Sequence, residues 1–240
     1  MTICEASKAT PVANLPPPAF LSTGVVINLR ARQRLALGAQ CEHVYIVLSG
    51  VLLLESSPHA SSRQILDLYY SGDIVRARVI PDLPGASLIA SGQAEVVRIN
   101  VSRLETTLET DPDARHWFDC AMASQYPRRL LHLATVGTLS GEERVVSLLV
   151  ELACRVGDAG YKSARTFDMP LSRTDMADYL SLNADTLSRI MSRLRQSGVL
   201  GMAGRGRGYA PNFAELCRLT PVADTIRALH CGNGKEKPGV

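Results

Sequence analysis

The sequence predicts an α+β protein with an N-terminal β-domain, a long helix and a C-terminal winged helix-turn-helix. Residues 25–101 consist of short apolar runs separated by turn signals, which is typical of an all-β sandwich or jelly roll. Residues 113–138 carry the longest helical pattern of the chain. Residues 172–196 contain two helix starts eleven residues apart, and this spacing indicates a helix-turn-helix.

Length and composition favour two folded domains of an ordinary globular protein. The 240 residues are 46% hydrophobic and 20% charged, with a net charge of +3. The N-terminus lacks a basic segment followed by an apolar core, and no apolar run reaches the roughly 18 residues that a membrane helix needs. We therefore expect a cytoplasmic protein without a membrane partner.

The cysteines are scattered along the chain, without a CxxC pair or a Cys/His spacing suited to zinc. This pattern indicates neither a metal site nor a disulfide framework, so the cysteines are interpreted as cytosolic thiols. They are Cys4, Cys41, Cys120, Cys154, Cys217 and Cys231.

The first 110 residues divide into an arm and a β-domain. Residues 1–22 contain four prolines among small residues, a composition that disfavours regular structure and predicts a disordered arm. Residues 23–110 form the predicted β-domain, in which Ser49-Gly50 and Gly72-Asp73 mark turns between strands.

A helical segment over residues 111–139 connects the β-domain to the C-terminal domain. Pro127 lies inside it, and an interior proline removes a backbone hydrogen bond at a cost of about 3 kcal/mol, so we expect a kink or two shorter helices. A capping box that begins at Ser140 opens the C-terminal domain, residues 140–219. Residues 220–240 are predicted to be a tail.

The second helix of the helix-turn-helix separates its residues into two faces. Capping signals place helix starts at Ser172, with Asp175 three residues later, and at Asn183. An apolar stripe at i, i+3, i+4 and i+7 comprises Leu187, Ile190, Met191 and Leu194. The opposite stripe, rich in groups that read base edges, comprises Asp185, Ser188, Arg189, Ser192 and Gln196. A solvated surface helix would show the same periodicity, so the neighbouring segments decide between the two interpretations.

The segment after the second helix predicts a basic wing. Residues 198–213 contain two short apolar stretches around the tip GRGRG, residues 204–208. Residues 186–218 contain six arginines and one glutamate, a net charge of +5 that favours phosphate contact, although a solvated charged face has the same composition. A nucleotide-binding loop is disfavoured because no Gly-Lys-Ser/Thr follows the glycines.

The order of these parts and three segments resemble the Crp/Fnr family of bacterial transcription regulators. In the β-domain, YIVLSGVLLLE resembles the family's strand-glycine-strand signature around Gly50, and LDLYYSGDIV resembles its Gly-Asp turn. In the C-terminal domain, LSRTDMADYLSLNADTLSRIMSRLRQSGVL resembles the family signature over its whole length. The resemblance runs from about Val25 to Leu219.

The resemblance implies a fold and a function. The β-domain would be a double-stranded β-helix, or jelly roll, of the cyclic-nucleotide-binding kind, and two copies would pair through the long helix as a homodimer. The dimer would bind palindromic double-stranded DNA with TTGA-type half-sites, and RNA polymerase if it is an activator. By its second helix the chain is most similar to the Fnr-like and FixK-like branches, which carry a Glu-x-x-Ser-Arg base-reading pattern, and the matching residues are Asp185, Ser188 and Arg189. Contacts with the DNA backbone are expected from Arg173, Thr174, Arg193, Arg205 and Arg207.

Two positions of the helix-turn-helix depart from the family. Asp185 replaces the usual glutamate and is one methylene shorter, so its contact with cytosine weakens or passes through water. Ser181 replaces the usual glycine of the turn, and it must either adopt a left-handed backbone, at about 1–2 kcal/mol, or shift the turn.

The β-domain departs further from ligand-binding members of the family. Arg76-Ala77 stands where cyclic-AMP-binding members have Gly-Glu, and Pro84-Gly85 falls near the expected Arg-Ser, so we expect no cyclic nucleotide. Arg76 and Arg78 are then either a site for another anion or plain surface charges.

No cofactor is expected. Cys4 and Cys41 supply two thiolates against the four that an iron-sulfur cluster needs. A haem ligand would have to be His43 or His59, single histidines that ordinary hydrogen bonds also satisfy. Cys217, just beyond the wing, is either a redox-sensitive thiol near DNA or a buried structural thiol.

Two other classes of function compete with a DNA-binding regulator. In one, the β-domain is a sensory module for a small molecule or partner protein and DNA binding is secondary or lost, which the retained Ser188-Arg189 pair and the basic wing disfavour. An enzyme is disfavoured because the sequence has no nucleophile elbow, HExxH motif, phosphate loop or clustered carboxylates.

Overall fold

The chain folds into an N-terminal β-roll, a long helix and a C-terminal winged helix-turn-helix, which confirms the predicted α+β class. The predicted positions Cys4, Pro84 and Arg205 lie outside the part of the chain that is described. The computed structural model describes residues 15–35, 37–38, 40–59, 62–78, 85–159, 163–204 and 206–231.

Two antiparallel sheets form the described part of the roll, with strand orders β1-β8-β3-β6 and β2-β7-β4-β5. Gly50 has φ 80° in the turn between β3 and β4, where an added β-carbon would lie 2.5 Å from the carbonyl oxygen of Gln93. A side chain does not fit at this turn. The strands are β1 Val25–Leu29, β2 Arg34–Leu35, β3 His43–Ser49, β4 Leu52–His59, β5 Ser62–Tyr69, β6 Ile74–Arg76, β7 Ser87–Ala90 and β8 Ala94–Asn100.

Successive side chains of β4 point to opposite faces of the sheet, and both faces of this strand are apolar. Leu52 and Leu54 belong to the core between the two sheets, together with Tyr45 and Val47 of β3. Leu53, which is fully buried, belongs instead to the hydrophobic core of the C-terminal domain. The outer face of the second sheet is therefore the surface on which the C-terminal domain packs.

A short helix precedes the roll. Helix α1, Pro18–Thr23, buries Phe20 completely, with ring centroids 5.4 Å from Trp117 and 6.4 Å from Phe118. The prediction that residues 1–22 form a disordered arm is therefore wrong for the helical residues, because the burial of one aromatic ring outweighs a proline-rich composition.

The connecting helix is continuous across its internal proline. Helix α2 spans Val101–Thr110 and α3 spans Pro112–Thr138 without a break at Pro127. Of the two outcomes expected at this proline, two shorter helices are therefore excluded, and a kink within one helix stays a prediction. Side chains on both sides of the proline hold α3 to the roll. Gln125 exchanges two hydrogen bonds with the backbone of Ile74, at 2.8 and 2.9 Å, and Arg128 binds Asp73.

The C-terminal domain contains a hydrophobic core formed by its helices and a four-stranded sheet of order β11-β12-β10-β9. The capping box predicted at Ser140 is present, because its side chain and that of Glu143 each accept a hydrogen bond from the other residue's backbone. The elements are α4 Gly141–Arg155, β9 Gly157–Ala159, β10 Arg165–Asp168, α5 Arg173–Leu180, α6 Ala184–Gln196, β11 Gly201–Met202, β12 Arg207–Ala210, α7 Phe213–Arg218 and α8 Ala223–His230.

Helix α8 contradicts two predictions from the sequence. The segment predicted to be a tail forms this helix, which packs against α4 and buries Ile226 in the domain core. A disulfide joins Cys154 of α4 to Cys231 just after α8, with the two Cα atoms 4.9 Å apart. The interpretation of all six cysteines as thiols is therefore wrong for this pair. A separation of 77 residues leaves no local pattern from which the pairing could be predicted.

The turn between α5 and α6 contains a strained residue. Ser181 has φ 51° and ψ 48°, so of the two outcomes expected there the left-handed backbone is the one found. Its Oγ accepts a hydrogen bond of 3.2 Å from Nε2 of Gln64 in the roll.

Ionisable side chains line the joint between the roll, α3 and the C-terminal domain. Tyr70 donates a hydrogen bond of 2.7 Å to Glu151 of α4, and burial raises the pKa of Glu151 to about 7 against the lowering effects of this bond, Arg128 and Arg155. His132 stacks on Tyr179 with the ring centroids 3.9 Å apart, and burial lowers its pKa to about 4. The joint therefore holds a carboxyl group and an imidazole that both favour their neutral forms.

The Ser181 turn predicts an ordering of variants. Ser181→Gly and Ser181→Ala both remove the hydroxyl, but alanine keeps the left-handed strain, so its free energy of unfolding should be about 1 kcal/mol lower than that of the glycine variant. Urea denaturation measures the difference. Ser197, at φ −76° after α6, is the matched control, and there alanine should be the more stable of the two. The same order at both positions would contradict the explanation.

The joint predicts a dependence of stability on pH. A carboxyl group with a raised pKa binds its proton more tightly in the folded state, so its contribution to the free energy of unfolding falls as pH rises from about 4.5 through 7. Glu151→Gln should remove this fall, and the wild-type stability relative to the variant should decrease between pH 5 and pH 8. Urea unfolding at several pH values measures this difference, with the exposed Glu105→Gln as control. A constant difference between wild type and Glu151→Gln would refute the assignment.

Candidate DNA interface

The predicted capping box begins α5. Ser172 Oγ accepts a hydrogen bond of 3.0 Å from the backbone N–H of Asp175, and the Asp175 carboxylate accepts one of 3.3 Å from the backbone N–H of Ser172. Leu171 is buried beside this start. Arg173 and Thr174 therefore stand in the first turn of α5, and both side chains are exposed.

Helix α6 has the two faces that its sequence predicts. Asn183 Oδ1 accepts a hydrogen bond of 2.7 Å from the backbone N–H of Asp185, which begins the helix. The residues of the apolar stripe are at most 5% exposed, and this face packs into the domain core. These residues are Leu187, Ile190, Met191 and Leu194.

The structure brings the three candidate base-reading residues together on the outer face of α6. Asp185, Ser188 and Arg189 are all exposed, and their spacing of i, i+3 and i+4 places them on one side of the helix. Within the described residues, no ion pair or side-chain hydrogen bond occupies these three side chains. Farther along the helix, Gln196 is exposed and Ser192 is half-buried.

Two of the predicted phosphate-binding arginines carry carboxylate partners. Arg193 lies 2.6 Å from Glu142 at the start of α4. Arg207 of β12 lies 3.0 Å from both Asp158 of β9 and Asp168 of β10. Exposed ion pairs contribute at most about 1 kcal/mol, so a phosphate group can replace such partners at small cost.

A pair of neighbouring arginines was not predicted from the sequence. Burial, and after it the positive charge of Arg195, lower the pKa of Arg173. Neither guanidinium has a carboxylate within ion-pair distance in the described ranges. The proximity depends on how α5 crosses α6, and no sequence spacing links the two positions. Two close cations without a counter-ion are suited to bind a phosphate group.

The wing forms as the sequence predicts. In the hairpin of β11 and β12, Gly201 pairs with Tyr209 and Met202 pairs with Gly208. Gly206 has φ 72° at the tip, a backbone that favours glycine. Met202 and Tyr209 are the large exposed side chains of this hairpin.

Both arginines of the roll that the sequence offered as an anion site have partners. Arg76 lies over the Phe118 ring at 5.5 Å and Arg78 lies 3.9 Å from Glu42, while apolar side chains fill the space between the sheets. In the described ranges, no group of three or more His, Cys, Asp or Glu side chains is placed to hold a metal ion. None of the described helices has the length and hydrophobicity to cross a membrane.

Cys217 lies on α7, away from the exposed face of α6. Its half-buried side chain lines a cavity of about 610 Å³ together with Arg165, Phe213 and Arg227. It takes no part in the disulfide of this domain. Redox sensitivity at this thiol stays a prediction.

Known proteins resemble the chain in sequence. Residues 143–219 match the model of the Crp-like helix-turn-helix domain. The nitrogen fixation regulation protein FixK of Azorhizobium caulinodans is 28% identical over 178 residues, which cover 74% of this chain and 71% of that protein. The transcriptional activator protein FnrL of Cereibacter sphaeroides is 27% identical over 198 residues, which cover 75% of this chain and 73% of that protein.

Solved structures share this architecture over most of the chain. FixK2 from Bradyrhizobium japonicum superposes with a TM-score of 0.71 at 25% identity, over 82% of this chain and 97% of that one. CooA from Carboxydothermus hydrogenoformans, 14% identical, has the same fold with a TM-score of 0.66, over 82% and 88% of the two chains. Residues 143–219 are thus a Crp-like helix-turn-helix domain, and the chain is similar in sequence and fold to FixK-like and Fnr-like transcription regulators of the Crp/Fnr family.

Proposed function

We propose that the protein binds as a homodimer to a palindromic promoter element with TTGA-type half-sites. The observation that carries this proposal is the outer face of α6, where Asp185, Ser188 and Arg189 are exposed together. In winged helix-turn-helix regulators the second helix enters the major groove and presents such side chains to base edges. RNA polymerase is a further partner if the protein is an activator.

Each of the three residues has a role in the proposal. Arg189 is the residue that forks to the two acceptors of guanine, and Ser188 and Asp185 contact the neighbouring bases. Asp185 lies in the first turn of α6. Its side chain is short, so its contact with a cytosine amino group is direct only if the helix start lies deep in the groove, and otherwise a water molecule bridges the gap.

Contacts with the DNA backbone surround this face. Arg173 and Thr174 at the start of α5 bind phosphate groups, and Arg195 joins Arg173 there. Arg193 and Arg207 bind phosphate by giving up their carboxylate partners. Arg205 of the wing tip is assigned a phosphate contact from the sequence alone.

An exposed apolar stripe on α3 supports the homodimer. Tyr126, Leu130 and Leu133 are 65%, 47% and 69% exposed and lie at i, i+4 and i+7, on one side of the helix. A stripe with this period pairs with its own copy in a two-fold dimer. Gly137 follows at i+11, and a β-carbon added there would meet no atom within 4 Å.

Base reading and phosphate contact predict different losses of affinity. Arg189→Ala should lower the affinity for a TTGA palindrome by about 1–3 kcal/mol and leave binding to random DNA nearly unchanged. Arg173→Ala should weaken both and reduce the slope of log affinity against log salt by about one. Fluorescence anisotropy at several salt concentrations measures both, with the exposed Arg103→Ala of α2 as control. Equal losses on both DNAs for Arg189→Ala would overturn its assignment.

The stripe on α3 predicts the oligomeric state. Leu133→Asp places a charge in the centre of the proposed interface, so light scattering should give the mass of a monomer where the wild type gives that of a dimer. Thr138→Asp is the matched control, because this exposed residue lies about 140° around the helix from Leu133. A monomeric wild type, or a dimer that survives Leu133→Asp, would count against the proposed interface.

A further inference from the structure

Arg63 of β5 binds three carboxylates from two domains. Its Nε lies 2.6 Å from Glu55 of β4, its Nη2 lies 2.7 Å from Asp175 of α5, and its Nη1 lies 2.6 Å from Asp178 of α5. The side chains are largely buried, with 24% of Arg63, 4% of Glu55 and 3% of Asp175 exposed. All three nitrogens of the guanidinium are therefore committed to carboxylates that link the roll to the first helix of the helix-turn-helix.

Two neighbouring side chains of the roll reinforce this link. Arg32 Nη1 lies 3.1 and 3.2 Å from the two carboxylate oxygens of Asp175. Gln64 Nε2 donates hydrogen bonds to the backbone carbonyl of Asp178 and to the Oγ of Ser181. The roll thus holds α5 at its first turn, its middle and the turn that follows it.

Asp175 connects this cluster to the start of α5. Its Oδ2 accepts a hydrogen bond of 2.7 Å from the hydroxyl of Ser172, while its Oδ1 binds Arg63 and Arg32. One carboxylate therefore serves both the helix cap and the contact between domains. Helix α5 packs on α6 in one hydrophobic core, so any rotation of α5 against the roll carries the recognition helix with it.

We propose that Arg63 is a positioning residue for DNA binding: it fixes the angle of α6 relative to the roll and thereby the spacing between the two recognition helices of the dimer. This inference rests on the proposed binding of a dimer to a palindrome. Half-sites one helical turn apart require recognition helices about 34–36 Å apart, and a change of angle in each subunit alters that distance twice. Arg63 contributes to specificity without contacting a base.

The positive and negative charges of this cluster balance. Arg32, Arg34 and Arg63 face Glu55, Asp175 and Asp178, three cations against three anions. Removing the central cation leaves three carboxylates against two cations. Arg32 still binds Asp175 and Arg34 still binds Glu55, but Asp178 loses its ion-pair partner, which favours separation of the two surfaces. In the described ranges no other residue of the roll spans all three carboxylates, so the link from Glu55 to α5 is lost.

The experiment measures preference for half-site spacing. Palindromes in which the two half-sites lie one helical turn apart, or one and two base pairs closer or farther, are titrated with full-length protein by fluorescence anisotropy. The wild type should prefer one spacing. In Arg63→Met the ratio of affinities between the best spacing and the others should fall about fivefold or more, while binding to a single half-site stays unchanged.

Arg34→Met is the matched control. Arg34 binds the same Glu55 at 2.8 Å, but it reaches neither Asp175 nor Asp178 and is 65% exposed. This variant should keep the wild-type spacing preference. If the loss of spacing preference followed simply from a lost positive charge or from a less stable β4, Arg63→Met and Arg34→Met would both show it.

Asp178→Asn provides a milder second test if Arg63→Met folds poorly. Asp178 takes no part in the capping box and is 22% exposed, so its replacement loosens the joint and leaves the start of α5 intact. Arg63→Lys should give an intermediate ratio, since one ammonium group cannot span three carboxylates.

The outcomes separate this inference from the function on which it rests. A wild-type spacing preference in both Arg63→Met and Asp178→Asn overturns the positioning role and leaves dimeric binding standing. A wild-type protein that binds two half-sites no better than one overturns both. A flattened preference in these variants, with single-site binding and the Arg34→Met control unchanged, supports the positioning role.

Discussion

Burial of the outer face of the sheet β2-β7-β4-β5 is the contact on which the rest of the structure depends. Leu53 and Ile65 are fully buried there, in the same hydrophobic core as α4, α5 and α6. Each such side chain contributes about 1.5–3 kcal/mol when it leaves water. The DNA-binding domain is thus joined to the roll by a shared core, and the polar links around it act on surfaces already held together.

Asp73 provides a second fixed point of the joint. The Gly72-Asp73 turn was identified from the sequence as a family motif, and in the structure its carboxylate binds Arg128 of α3 and Arg155 of α4, at 2.5 and 3.1 Å. It also accepts a hydrogen bond of 2.8 Å from the backbone N–H of Tyr70. A motif that marks a turn in the sequence therefore also ties three elements of the fold to one another.

Local sequence patterns correctly predicted the features that depend on interactions between residues close together in the chain. The caps at Ser172 and Asn183 and the apolar stripe of α6 depend on residues within one or two turns of each other. Two of the misses concern contacts between distant residues. Phe20 is buried by rings about a hundred positions away, and Cys231 meets Cys154 because α8 packs on α4. Neither contact leaves a periodic signal in the chain.

Arginine serves two opposite purposes in this protein, and the difference lies in its counter-ions. At the joint, buried carboxylates neutralise Arg63 and Arg128, and such pairs are stable because each charge has a fixed partner. At the candidate DNA interface, Arg173 and Arg189 are exposed and have no carboxylate partner in the described part of the chain. DNA would supply the missing negative charge there. Composition counts both groups alike, and only the three-dimensional arrangement separates arginines that hold domains together from arginines available to a nucleic acid.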